Sequence, residues 1–466
     1  MLKRISIAVT ATLALGLAAA GCNNSSSRGG APLPPSDAEV RTAIAGASVT
    51  TPSQPVENAN LVALGRALFF DKVLSGNQNI SCATCHHPTA ATGDALPLSL
   101  GEGATGTASA RVSTATGQVI PRNAPDLFND GVTQARVMFW DGRVSFDPGT
   151  GAFTTPEPVL NGVTPARPDL TGPLDSALAA QAMFPVTSFD EMRGKPGSNP
   201  IADATSNVQI WQLLMARLVG TNNGTVGGIA GYRTLFQAAF PGVTNFDQFT
   251  FGHAARAIAA FERDAYVALN SPFDRYLAGT DSALSDSAKR GALLFFGAAR
   301  CGQCHSGPLL SDDQFHALCV PQLGPGKGGE PDDRGRALIT GNTAENYRFR
   351  TSVLRNVEFT GPWMHDGAFT DLRVAVQHHL NPQFSLNNYN VGQLPAVFQP
   401  LLDLDPARTQ ARISAVDPTL LPPVFLTNAQ LDDLIEFLRA LSDSASIAAL
   451  ANDQPPSVPS GLPVVD

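Results

Sequence analysis

Cys82-Ala83-Thr84-Cys85-His86 and Cys301-Gly302-Gln303-Cys304-His305 are the stretches whose residue types and spacing point most directly to chemistry. Cys-x-x-Cys-His is the pattern of c-type haem attachment. Two thiols add across the porphyrin vinyl groups, and the adjacent histidine supplies a nitrogen to iron. A single copy is also compatible with a redox pair or half a zinc site. Two copies use four of the six cysteines. Structural zinc pairs Cys-x-x-Cys with a second ligand pair a short loop away, whereas these motifs begin at positions 82 and 301. The sequence therefore predicts two covalently bound haem c groups on Cys82, Cys85, Cys301 and Cys304, with His86 and His305 as iron ligands.

The elements that position these motifs recur. Leu61, Leu64 and Leu68 have helical spacing and predict a helix over 56–70. Its end, Leu64-Gly65-Arg66-Ala67-Leu68-Phe69-Phe70, is echoed by Arg290-Gly291-Ala292-Leu293-Leu294-Phe295-Phe296 ahead of the second motif. Arg122-Asn123 precedes Trp140-Asp141-Gly142, and Arg355-Asn356 precedes His365-Asp366-Gly367. This is a diverged tandem repeat. A helix over 252–266 leads into the second half, and Leu431, Leu434, Ile435, Leu438 and Leu441 form one stripe of a final helix over 427–442 capped by Thr427. The expected fold is mainly α: two tandem c-type cytochrome domains with loop-rich insertions. They span 51–250, with a surface insertion at 144–177, and 251–445; a Pro-rich mobile tail is expected over 446–466.

Lys3 and Arg4 precede an apolar run from Ile5 to Leu17, so residues 1–21 read as a signal peptide. Small residues ending in Cys22 fit a lipoprotein cleavage site, with Cys22 lipidated and membrane-attached; ordinary cleavage nearby is the alternative. Residues 22–50 read as a flexible tether. Export to the periplasm suits haem c, which is attached outside the cytoplasm. A net charge of −9 disfavours nucleic acid and is compatible with docking a basic electron carrier.

The chain resembles the bacterial di-haem cytochrome c peroxidase and methylamine-utilisation di-haem enzyme family over residues 56–442. The resemblance rests on both haem motifs and on Arg122-Asn123-Ala124-Pro125, Phe139-Trp140-Asp141-Gly142-Arg143, Asn270-Ser271-Pro272-Phe273-Asp274-Arg275-Tyr276, Leu354-Arg355-Asn356-Val357 and Pro362-Trp363-Met364-His365-Asp366-Gly367. It implies that one haem, in the N-terminal domain, reacts with hydrogen peroxide. The other receives electrons from a small cytochrome c or cupredoxin. Family peroxidases are often homodimers.

The same resemblance implies the site residues. Many relatives carry a distal histidine about sixteen residues after the first proximal one; here that position is Glu102, and the next histidine after His87 is His253. An open first iron is therefore expected, with His253 or a methionine as the alternative ligand. Peroxide cleavage needs a group that takes one proton and delivers it to the leaving oxygen. The family's Gln and Glu, ten residues apart, match Gln181 and Glu191; for the pair Asp190 and Glu191 the bland reading is solvated loop charge. The second haem's sixth ligand falls on His379, where relatives carry Met or Tyr, with His378 as the misregister alternative. Trp140 matches the aromatic relay between the haems, or is a core tryptophan. Asn123, Thr360 and Pro362 match the positions that bind one calcium ion. His365 is expected to be structural and Cys319 an inert buried thiol. The leading function is peroxide reduction. A protein-modifying oxidase acting on Trp or Tyr of a partner and a non-catalytic electron-transfer cytochrome are the alternatives.

Overall fold

The protein, in a computed structural model, is described over residues 34–113, 119–220 and 227–464. The expected leader over 1–21 and Cys22 lie outside the described residues. The chain is mostly helical with short strand pairs. Its main helices are α1 (Asp37–Gly46), α2 (Ala59–Phe70), α3 (Asn207–Val219), α4 (Ala230–Ala239), α5 (Phe251–Ala265), α6 (Asp286–Phe296), α7 (Leu372–Leu380) and α8 (Asn428–Ala440). Local chemistry sets their ends. Asn58 caps α2 through the Asn60 N–H, and Thr427 and Gln430 form a reciprocal capping box on α8. His253 is spent the same way, accepting the Thr250 N–H at 3.2 Å at the start of α5.

Each haem motif follows a helix that crosses a partner on a glycine. A Cβ on Gly65 of α2 would lie 1.8 Å from the Ala257 carbonyl oxygen of α5, and one on Gly291 of α6 would lie 1.9 Å from the Asp433 oxygen of α8. Phe69 and Phe70 pack on Phe261 with centroids 5.2 and 5.9 Å away. Phe295 and Phe296 pack on Phe437 at 5.2 and 5.8 Å. The sequence echo is thus a packing echo. Gly291→Ala must push α6 and α8 apart at backbone contact. It is expected to cost about 1–3 kcal/mol, the usual range for overpacking, and to lower the thermal midpoint by several degrees. An unchanged midpoint would contradict the close crossing.

Two expected segments need correction and one is refined. The tether over 22–50 contains α1, because Ser36 and Glu39 make a capping box and Val40 and Ile44 bury one helical face. The insertion over 144–177 is exposed along much of its length, as expected of a surface segment, but it is ordered and anchored. Strands β1 (Val137–Met138), β2 (Val144–Asp147) and β3 (Ala152–Thr154) form an antiparallel sheet, and Leu160 and Leu170 are buried. A Cβ on Gly252 would lie 2.1 Å from the Leu170 oxygen, so the insertion rests directly on α5. These strands are too short to show periodicity in sequence. The tail over 446–464 is docked. Arg66 on α2 donates to the Asp453 and Asn452 carbonyls at 2.7 and 2.8 Å, Ser460 Oγ donates to Asp71 at 2.6 Å, and Leu450 and Val458 are buried. It begins in a short helix, Ser444–Ala449, and a helical turn, Leu450–Asn452, and the Pro-rich remainder still buries Val458.

Candidate active site

In each motif the histidine N–H donates back to the carbonyl of the first cysteine, His86 to Cys82 at 2.9 Å and His305 to Cys301 at 2.8 Å. That closes one turn. Each imidazole Nδ1 donates to a backbone carbonyl, His86 to Thr92 at 3.0 Å and His305 to Leu310 at 2.9 Å. The tautomer so held leaves Nε2 free to ligate a metal.

Cys82, Cys85 and His86 line a first cavity, and Cys301, Cys304 and His305 a second. The two motifs line different cavities and do not converge, so they do not pool their cysteines into one four-ligand zinc site. Paired thiols beside an oriented imidazole, in a mainly apolar wall, fit a covalently attached haem in each cavity.

The first cavity also receives Gln181, Asp190 and Glu191. Gln181 ends a short helix, Ala177–Gln181, capped by Ser176, and Glu191 sits in the wide turn Phe189–Arg193. Burial raises the Glu191 carboxyl above its ordinary range, against the pull of Arg143 and Lys327. His86 is the only histidine among the described lining residues, and Met138 and Met192 are the thioethers there. His253 stands elsewhere, between Phe240 and Phe249 at 4.8 and 5.4 Å. Glu102 Oε1 accepts from Asn77 and Asn79 at 2.6 and 3.1 Å, and Glu102 does not line the cavity.

In the second cavity His305 and His379 face each other, ring centroids 6.4 Å apart. Imidazole–metal bonds are about 2.0–2.1 Å long, so two rings on opposite sides of one ion stand roughly 6–6.5 Å apart. His379 Nδ1 donates to Ala375 at 2.9 Å, which again leaves Nε2. His378 is turned away: it is fully buried, donates Nε2 to Leu318 at 2.7 Å and packs on Phe369. Asn123, Thr360 and Pro362 line this cavity together. His365 does too, stacked on Phe349 with centroids 3.6 Å apart. Cys319 is buried, with its thiol pushed up to about 12 by desolvation.

The cavities share a wall. Asn123, Pro125, Asp130, Trp140 and Arg350 line both. Trp140 Nε1 donates to the Asn123 carbonyl at 2.9 Å, and the Trp140 carbonyl accepts the Arg350 N–H at 2.8 Å. Sequence reasoning missed Asp130, Arg350 and Lys327. Lys327, from a Gly-rich loop of the second half, enters the first cavity and stands 3.6 Å from fully buried Asp141. Asp141 also pairs with Arg122 at 2.6 Å and Arg143 at 3.1 Å. No periodicity marks such residues, because they meet only through tertiary packing.

The sequence profile of the di-haem cytochrome c peroxidase family matches residues 59–282. The chain is 30% identical over 319 residues to methylamine utilization protein MauG of Methylorubrum extorquens, covering 68% of each chain. It is 29% identical over 313 residues to cytochrome c551 peroxidase of Pseudomonas aeruginosa, covering 67% of this chain and 69% of that one. Its fold is similar to the crystal structure of a MauG-like protein associated with microbial copper homeostasis, with a TM-score of 0.55, 24% identity and coverage of 86% of this chain and 95% of that one.

Proposed function

Because this chain belongs to the di-haem cytochrome c peroxidase family, we propose that it reduces hydrogen peroxide to water in the periplasm with electrons from a small cytochrome c or copper protein. It is an oxidoreductase with two haem c groups. The division of labour would follow two haem domains, 51–250 peroxidatic and 251–445 electron-transferring. The observation that carries the reading is Glu191 and Gln181 in one cavity with His86, without a second histidine among its described lining residues.

Haem held by Cys82, Cys85 and His86 would supply the redox chemistry at peroxide, and haem held by Cys301, Cys304, His305 and His379 would supply electrons. The chain's own residues handle protons and position. Glu191 takes a proton from one peroxide oxygen and returns it to the other, which leaves as water. Gln181 orients the peroxide by hydrogen bonding. Trp140, in the shared wall, gives charge an aromatic path between the cavities. Asn123 donates Nδ2 to the Leu96 and Pro97 carbonyls at 2.8 and 3.2 Å, which leaves its Oδ1 as an acceptor that, with the Thr360 and Pro362 carbonyls and waters, would hold a calcium ion. A lipid anchor at Cys22 and a homodimer belong to the same proposal.

The second reading is oxidation of Trp or Tyr on a partner protein, and Trp140 at the shared wall favours it as a charge path. Adding peroxide to the reduced holoprotein separates the readings. Steady peroxide consumption with reduced cytochrome c is expected. A slowly decaying spectral change that cytochrome c does not reverse would favour the partner-modifying reading. No spectral response to peroxide would leave an electron-transfer cytochrome.

A further inference from the structure

The wall between the cavities holds more charge than an electron path needs. Asp130 lines both cavities, Asp126 the second and Glu262, from α5, the first. Arg350 lies among them. It donates Nε to the Phe139 carbonyl at 3.4 Å and lies 3.6 Å from Asp313, whose side chain is 23% exposed. Asp126 accepts only a backbone N–H, from Phe128 at 3.2 Å, and Glu262 Oε2 is buried with no hydrogen-bond partner. Asp126 and Asp130 share the Arg350 guanidinium, and Glu262 has Arg263 and Asp130 near it, so these buried acids cannot all stay ionised away from water. Burial pushes the Asp130 carboxyl up to about 6, with Arg350 pulling it down and Asp313 pushing it up. Burial, with Asp130 next, takes Asp126 to about 8, and burial, with Asp130 again next, takes Glu262 to about 8. Arg263 also acts on Glu262 and Arg136 on Asp313.

Asp130 is therefore the carboxylate closest to balance, and it stands where an electron must pass. We propose that Asp130, in the wall shared by both cavities, binds one proton when a haem held beside that wall takes up an electron and releases it when that electron leaves. The electron comes from the one-electron donor of the proposed reaction. The proton comes from solvent, which reaches the partly exposed Asp313 beside Arg350, and converts the Asp130 carboxylate to a carboxylic acid, which offsets the negative charge that the electron adds at the haem. This role rests on the di-haem reading above.

The test uses the holoprotein. Haem is counted first by pyridine haemochrome absorbance; fewer than two haems per chain defeats the di-haem reading itself. With two haems present, midpoint potentials are titrated against pH. Above pH about 6, at least one midpoint is expected to fall by about 59 mV for each tenfold drop in proton activity, the one-electron, one-proton value. Asp130→Asn should flatten that slope and Asp130→Glu restore it. A flat wild-type profile, or an unchanged slope in Asp130→Asn, overturns the proposal. If Asp130→Asn loses haem, reduced-minus-oxidised infrared spectra of wild-type protein carrying 13C-aspartate decide. A carboxylic C=O band that shifts with the label supports the role, and its absence refutes it.

Discussion

Glu191→Gln is expected to lower peroxide turnover by about 10²–10⁴-fold, the usual contribution of a positioned acid–base group, with both haems still attached. The exchange keeps shape and hydrogen-bonding capacity but removes the proton carrier. Glu191 is held in the first cavity by the turn Phe189–Arg193, and neither cysteine motif contacts that turn in sequence. Haem content and folding should therefore survive. The pH profile gives a second reading. Burial raises the Glu191 carboxyl, against Arg143 and Lys327, and the group must be ionised to accept the first proton. Wild-type turnover should accordingly fall as pH drops through a value above the ordinary Glu range of about 4.3. That acid limb should vanish in Glu191→Gln. Turnover within about twofold of wild type would remove Glu191 from the reaction.

His379→Met is expected to raise the potential of the second haem by on the order of 0.1–0.3 V, inside the roughly 0.8 V span that axial ligands command. Thioether ligation favours the reduced iron relative to a second imidazole. The geometry behind this is the 6.4 Å separation of the His305 and His379 rings and the Ala375 carbonyl that fixes the His379 tautomer. His378 provides the control. It is buried against Phe369 and bonded to Leu318, so His378→Gln should disturb packing and leave the bis-imidazole spectrum in place. If instead His378→Gln alone abolishes that spectrum, the ligand has been assigned to the wrong neighbour.

Three helices read from the sequence lie within about three residues of where the structure has them. The expected 56–70, 252–266 and 427–442 became Ala59–Phe70, Phe251–Ala265 and Asn428–Ala440. Apolar stripes and capping residues are local signals, and these helices carry both. The order in the insertion and the tail went unread for the opposite reason. Strands such as Val137–Met138 are too brief for alternation and the tail is ordered by docking on α2, whereas residues 37–46 do carry a capping box, obscured by the Ser-, Gly- and Pro-rich stretch that precedes it. The strands and the tail depend less on their own composition than on what lies across from them.

The same boundary divides the site. The two Cys-x-x-Cys-His motifs were legible in the sequence alone, because two cysteines and a histidine within one turn are brought together by chain geometry whatever the rest of the protein does. Gln181 and Glu191 were recognisable by resemblance, but only the tertiary structure puts them in the cavity of His86. Adjacent histidines on one helix point about 100° apart, so the choice of His379 over His378 depends on how α7 is rotated against its neighbours. Trp140 and Asp130 meet Arg350 at the shared wall from segments about two hundred residues apart, and Lys327 reaches the first cavity from the same second half. Their chemistry is set by burial and by one another's charge, quantities that exist only once the chain has packed.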